Sequence, residues 1–391
     1  MRIYLDHNAG APLRAEAREA IDLFMREGHG NPASVHHAGQ RARRALEESR
    51  AAIAALIGAQ ARQVAFTSGG TESNNLAIFG TLGRIEGRRK IVTSSIEHSS
   101  VLEPLNELER RGWEIVRVAP DRDGRIAPSA VIDALDDRVA IVTLGLVNAE
   151  VGTIQDLAPL AGPIAQKGAL FHVDAAQAVG RIPVNAASLG CDLMTLSGHK
   201  LGAPAGIGAL YVRDSAIIGP RILGGPQENG LRAGTPNLLG AIGFGAAACA
   251  IAADCSDEAA RVATLTDRLL ARLRSSIPGL RLNGSPPFRN TLNLTFPRVL
   301  GESMLIALDL EGVEVSMGSA CAAGSVEPSH VLLAMGRVEA EARSSLRISL
   351  GWSNDASQID SAAETIARVW RRVVAAEPIG ATAPIGSEAL S

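Results

Sequence analysis

Only four cysteines occur in 391 residues, Cys191, Cys249, Cys255 and Cys321, and no two have the paired spacing of a metal site. So sparse a set in so long a chain excludes a disulfide framework and fits a reducing, cytoplasmic setting. Cys191 and Cys249 have apolar neighbours and read as core residues, whereas Cys255, between Asp254 and Ser256, reads as a helix end. Positive charge is not in excess: 38 Lys and Arg face 41 Asp and Glu, a formal net charge of -3. That balance predicts no general attraction to nucleic acid or anionic membrane. Long apolar runs are missing too. The most apolar stretch, Leu238 to Ala253, is mostly Ala and Gly and ends at Asp254, short of the roughly 20 residues that cross a bilayer. It predicts a buried helix. The first residues, Met1-Arg2-Ile3-Tyr4-Leu5-Asp6, lack the apolar core of a secretory signal.

What is present is an alternation. Gln63–Thr67, Lys90–Ser94, Glu114–Val118, Ala140–Leu144, Ala169–Val173 and Asp192–Leu196 read as short strands, with helical segments such as Ser73–Leu82 and Ser99–Arg111 between them. Residues 206–213 form a further strand, read as reversed in direction. This pattern predicts an α/β fold, a mostly parallel seven-stranded sheet flanked by helices. Beyond about residue 255 the texture changes. A long helical pattern (Asp257–Ser276) precedes the β-like Thr291–Phe296, the helix Ser303–Leu310 and a small-residue loop at 316–325. The expected organisation is a large domain over 13–257 and a smaller α+β domain from 1–12 and 258–377. A disordered tail, 378–391, is expected to follow.

Three motifs follow strands. Ser68-Gly69-Gly70-Thr71-Glu72 can turn backbone N–H groups and a hydroxyl toward an anion at a helix start, or be a tight turn with a helix cap. Asp174, in His172-Val173-Asp174-Ala175-Ala176-Gln177, falls at the carboxyl end of a buried strand, where open α/β sheets bind ligands. Its charge there calls for a cationic partner or for a role capping the next helix. Lys200, in Ser197-Gly198-His199-Lys200, sits among Gly, Ala and Pro at the same sheet edge. Desolvation there would turn it into a Schiff-base nucleophile. Each motif alone is ordinary; three at the ends of successive strands are not.

In this order and spacing, with Glu97-His98 between them, these motifs resemble the cysteine desulfurases of the iron–sulfur-assembly type. Those enzymes belong to the aspartate-aminotransferase-like pyridoxal-phosphate enzymes of PLP fold type I. The likeness runs from Tyr4-Leu5-Asp6 and Gly30-Asn31-Pro32-Ala33-Ser34 to Arg347-Ile348-Ser349-Leu350-Gly351. It takes in Arg232-Ala233-Gly234-Thr235, Gly318-Ser319-Ala320-Cys321 and Glu327-Pro328-Ser329-His330-Val331.

The resemblance implies pyridoxal 5'-phosphate held covalently by Lys200, with Asp174 on the pyridine nitrogen and Gln177 on the ring oxygen. His98 would stack on the ring and move protons. Gly70, Thr71, Ser197 and His199 would hold the phosphate, and Thr235 would reach the phosphate of a partner subunit in a homodimer. Arg347 and Asn148 would meet the substrate, the arginine gripping its carboxylate. Cys321, in a small-residue loop expected to be mobile and exposed, would take sulfur from L-cysteine as a persulfide, leaving L-alanine. An acceptor such as an iron–sulfur scaffold would then receive the sulfur. A selenocysteine lyase would use the same chemistry, whereas an aminotransferase needs no thiol and a non-catalytic scaffold needs none of these residues. The chain departs from the family at Gly10-Ala11, in the arginine-poor stretch 224–232, and at Ala149, where a second asparagine is usual.

Overall fold

Runs rich in Val, Ile and Leu, four to seven residues long, pair here into one sheet buried on both faces, as parallel strands with helical connections require. This computed structural model describes residues 2–83, 85, 87–284, 290–318 and 327–376, except the side chains of Ala216 and Cys255. In chain order the strands are β1 (Ile3–Tyr4), β2 (Val64–Thr67), β3 (Lys90–Ser94), β4 (Glu114–Val118), β5 (Val139–Gly145) and β6 (Leu170–Asp174). They continue with β7 (Leu193–Ser197), β8 (Gly208–Val212), β9 (Arg281–Asn283), β10 (Thr291–Thr295), β11 (Val313–Glu314) and β12 (Ser345–Ser349).

The main sheet has the order β2-β8-β7-β6-β5-β3-β4. Strand β8 is antiparallel to both of its neighbours and the other pairings are parallel. The expected strand over 206–213 is therefore present and reversed. Alternate side chains go to opposite faces: Val92, Val142 and Met194 join one hydrophobic cluster, Ile91, Ile141 and Leu193 another.

Helices Ala15–Arg26 and His37–Leu56 pack against the long helix Leu238–Ser276. Contact is close enough that a Cβ on Gly245 would lie 2.6 Å from the Ser49 Cα. The long helix bends by 80° at Cys255, joining what reads as two segments in the sequence. Its first half is one-sided rather than wholly buried. Ala241, Phe244, Ala247, Ala248 and Ile251 face the core, but Cys249 is exposed, correcting its assignment as a core residue. A helix of Ala and Gly on every face offers no apolar contrast from which to tell the inner side. Among the described residues no single helix is long and apolar enough to cross a membrane; the bent pair passes by length and composition only.

Edge strand β2 is closed by side chains rather than by another strand. Arg50 Nη1 donates to the Val64 carbonyl at 2.8 Å, and Glu228 Oε2 accepts from the Phe66 N–H at 2.8 Å. The two side chains form a buried ion pair at 2.5 Å, so the stretch 224–232 carries one of the locks of this sheet.

The smaller sheets are β12-β10-β9, antiparallel, and β1-β11, parallel. Leu5, Leu294, Phe296, Met304, Leu346, Ile348 and Ile366 share a separate hydrophobic cluster. Val331, Leu332, Met335 and Ala342 pack instead with the large sheet's cluster, so the C-terminal part reaches across to it.

Strand β8 begins where the β2 turn descends onto it. A Cβ at Gly208 would sit 2.6 Å from the Gly69 backbone and 2.9 Å from the Leu196 carbonyl oxygen. Gly208→Ala is expected to destabilise the chain by about 1–3 kcal/mol, as other overpacked sites do. Urea denaturation measures this, and an alanine variant as stable as the parent would contradict the close approach.

Candidate active site

Strands β2, β3, β5, β6 and β7 all end at one edge of the sheet, and the residues just past each end line a single cavity of about 370 Å³. This is the carboxyl edge at which open α/β sheets bind ligands. Gly70 and Thr71 come from the β2 end, Glu97 and His98 from β3, Asn148 to Glu150 from β5, Asp174 and Gln177 from β6, and Ser197, His199 and Lys200 from β7. The N-terminal arm adds Asn8 and Ala9, and the C-terminal part adds Gly318, His330 and Arg347.

One end of the cavity suits an anion. Helix Gly70–Leu82 starts in it, which brings unpaired N–H groups and the positive end of the helix dipole. A Cβ on Gly70 would stand 3.4 Å from the Ser197 Cβ, so the helix start lies against the end of β7. Ser197 Oγ and His199 Nδ1 lie 3.1 Å apart. Burial, and next the charge of Lys200, push His199 down to about 4, which keeps it neutral.

At the centre, Asp174 accepts from Asn74 Nδ2 at 2.7 Å and from the Ala176 N–H at 3.0 Å. Asn74 Nδ2 also donates to Ser100 Oγ at 2.8 Å, while its buried Oδ1 has no partner. His98 Nδ1 accepts from the Ser100 N–H at 3.1 Å, capping the helix Ser99–Arg110, so a neutral imidazole there carries its proton on Nε2. Burial lowers the His98 pKa. Below Asp174, the fully buried His172 bridges Thr143 Oγ1 at 2.8 Å and Thr195 Oγ1 at 3.0 Å, and burial pushes it to about 4.

Lys200 Nζ donates to two backbone carbonyls, Asn8 at 2.5 Å and Ala9 at 2.7 Å. Burial first, then the charges of Arg181 and Arg347, bring its pKa down to about 7, with Asp6 and Asp174 opposing. Near neutral pH a large share of this amine is unprotonated and nucleophilic. Arg347, 4% exposed, pairs with Asp6 at 2.8 Å and reaches the Ala149 carbonyl at 3.4 Å. Its buried Nε has no partner.

Of the residues singled out in the sequence, Gly70, Thr71, His98, Asn148, Asp174, Gln177, Ser197, His199, Lys200 and Arg347 come together here. Asn148 is chiefly a brace: its Oδ1 accepts from the N–H groups of Glu150 and Val151, and its Nδ2 donates to the Ile96 carbonyl at 3.0 Å. One amide hydrogen is left for a ligand. Thr235 is exposed and does not line this cavity. Cys321 lies outside the described residues, but Gly318 before it and His330 after it both line the cavity. Sequence reasoning gave no role to Asn8, Asn74, Glu97, Glu150 or His330. The Glu97-His98 pair and the Glu327–Val331 motif were the available signals for Glu97 and His330, since lone asparagines carry none.

A family profile described as aminotransferase class-V matches residues 3–361. The chain is 41% identical to a cysteine desulfurase IscS of Dictyoglomus turgidum over 96% of both chains, and 38% identical to one of Methanosarcina thermophila over 96% of this chain and 94% of the other. A solved NifS-like protein superposes with a TM-score of 0.89 at 31% identity, covering 95% of this chain and all of that one. A structure of SspA in complex with cysteine gives 0.79 at 32%, covering 89% and 99%. A desolvated lysine, an acid and a helix start suited to an anion meet at this one sheet edge. The chain belongs to the aminotransferase class-V family of pyridoxal-phosphate enzymes and, within it, to the cysteine desulfurases.

Glu97 supplies a pH test of the site. Burial pushes its carboxyl up to about 8, the nearby Asp174 charge adding to this and bonds from Ser94 and the Gly145 N–H opposing it. The folded chain then holds a proton that the unfolded chain releases. Its contribution makes stability fall as pH rises from about 4.5 to about 8. The slope is at most about 1.4 kcal/mol per pH unit. Glu97→Gln, which mimics the protonated acid, is expected to remove that slope. Urea denaturation across this range checks it, and an unchanged slope would show that Glu97 is ionised when folded.

Proposed function

We propose that the chain is a pyridoxal 5'-phosphate-dependent cysteine desulfurase that passes the sulfur of L-cysteine to Cys321. The observation that carries this reading is the meeting of the Lys200 amine, Asp174 and Arg347 in one cavity whose wall leads on either side into the segment holding Cys321.

The donor set fits the cofactor. The start of helix Gly70–Leu82, Thr71, Ser197 and His199 would hold its phosphate, Asp174 would face the ring nitrogen, and Gln177 the ring oxygen. His98 would lie against the ring, and Thr235 of each subunit would serve the phosphate of the other in a homodimer. The orphaned Asn74 Oδ1 and Arg347 Nε are buried polar atoms that a bound ligand or water would satisfy. The bound cofactor supplies one thing, a sink for the electron pair left when the substrate loses its Cα proton.

The chain's own residues do the rest. Arg347 binds the substrate carboxylate, and the carbonyls of residues 8 and 9 hold the Lys200 amine where it can take and return the proton at Cα. Cys321 as thiolate attacks the substrate sulfur. An S–S bond forms as the substrate's C–S bond breaks, its electron pair passes to Cβ, and protonation there yields alanine. The persulfide then goes to an acceptor protein such as an iron–sulfur scaffold. The relatives' names, and cysteine bound in the SspA structure, favour cysteine as substrate.

With L-cysteine and a thiol reductant, the wild type is expected to release sulfide and alanine in equal amounts. Cys321→Ala is expected to bind pyridoxal phosphate and cysteine as before and to make almost no persulfide. A wild-type persulfide yield in that variant would move the nucleophile elsewhere.

A further inference from the structure

We infer that Arg181 is a positioning residue for the reaction: an unneutralised cation that fixes the Lys200 segment and the Gln177 amide and holds the lysine amine in its reactive, uncharged form. The inference rests on the reading of Lys200 as the cofactor lysine.

The contacts of Arg181 converge on the site from behind. Its Nη1 donates to Asn8 Oδ1 at 2.8 Å and to Gln177 Oε1 at 2.5 Å. Its Nη2 donates to the carbonyls of His7 at 2.9 Å and of Lys200 itself at 3.4 Å. All four acceptors are neutral oxygens. Nearby carboxylates are engaged elsewhere, Asp6 with Arg347 and Glu258 with Arg14. A guanidinium in this position does two separable things.

The first is geometric. An amide can be turned either way round, and only one orientation offers a donor. With Oε1 held by Arg181, Gln177 presents Nε2, which in this structure donates to the Asn8 carbonyl at 2.9 Å. The same fork grips the peptide of Lys200 and the His7–Asn8 strap whose next carbonyls receive Nζ. Side chain and acceptor are thus fixed by one group.

The second is electrostatic. The charged groups that act on the Lys200 amine are Arg181, Arg347, Asp6 and Asp174; His98 and His199 also face it, both with lowered pKa. Asp6 bonds Arg347, which offsets that arginine, whereas the charge of Arg181 has no bonded carboxylate among the described residues. Burial brings Arg181 down only to about 10, so it stays charged at neutral pH.

The chain contains only three lysines, Lys90, Lys167 and Lys200, which makes a direct test practical. The full-length, cofactor-free chain labelled with carbon-13 at lysine Cε gives three titrating signals by NMR. Lys90 and Lys167, bonded to Asp136 and Asp137, are the internal references. Wild-type Lys200 is expected to titrate near 7, well below the ordinary value of about 10.5. Arg181→Met is expected to raise that midpoint by about one pH unit or more, with the references unmoved. Arg181→Lys, which restores charge without the fork, is expected to return most of the shift. Where the methionine variant fails to fold, Arg181→Gln removes the charge while leaving donors for the carbonyls. A Lys200 midpoint unchanged in the folded uncharged variants would overturn the inference. Whether wild type takes up pyridoxal phosphate is read separately by absorbance. A chain that binds none loses the functional reading while the midpoint shift still stands or falls by itself.

Discussion

An amine drawn out of water keeps its proton only if an anion stands next to it, and no carboxylate bonds Lys200. Its acceptors are two backbone carbonyls of the N-terminal arm, which lies far away in sequence. Much of the site's architecture serves to bring that arm in. Asn8 bonds Ser349 and Thr291 of the small sheet and the Ala149 carbonyl beyond β5, while its own carbonyl and Oδ1 face Lys200, Gln177 and Arg181. A reactive lysine therefore exists only when arm, large sheet and C-terminal strands have all assembled. The site reports on the whole fold rather than on one loop.

A second consequence is how protons are distributed at the sheet edge. Glu97 and Asp174 close off neighbouring parts of one cavity, yet Glu97 is buried with its carboxyl held protonated by desolvation and by the acid beside it. His172 under Asp174 is kept neutral by burial between two threonine hydroxyls. Negative charge at the centre of the cavity is thereby left on Asp174, with a protonated Glu97 and a neutral His172 next to it. Arg347 at the cavity wall has two of its nitrogens tied back and its Nε left unpaired.

Much of this was legible in the sequence. The strands that end at the cavity are short buried runs, and β3 and β4 match the expected spans to the residue, because apolar runs bounded by turns admit few alternatives. Three motifs after three such strands had to meet at the carboxyl edge once the sheet was parallel. Residues that act from loops by single hydrogen bonds left no pattern to read. Asn8, Asn74 and Arg181 are of this kind, and their roles depend on which carbonyl or amide a tertiary fold brings within reach. Cys249 was misread for a related reason. Its Ala- and Gly-rich helix is uniform in hydropathy, so only packing decides its inner face. Asn148, expected at the substrate, lines the cavity but also gives its Oδ1 to the turn that follows it, a local bond to backbone N–H groups that residue type alone does not announce.

On this reading the desolvated Lys200 amine is the group that captures the cofactor aldehyde. Borohydride reduction of the chain loaded with pyridoxal phosphate, followed by peptide mapping, tests it directly, because only two other lysines compete. A pyridoxyl label is expected on Lys200 and none on Lys90 or Lys167. A label on either of those two with Lys200 unmodified would contradict it.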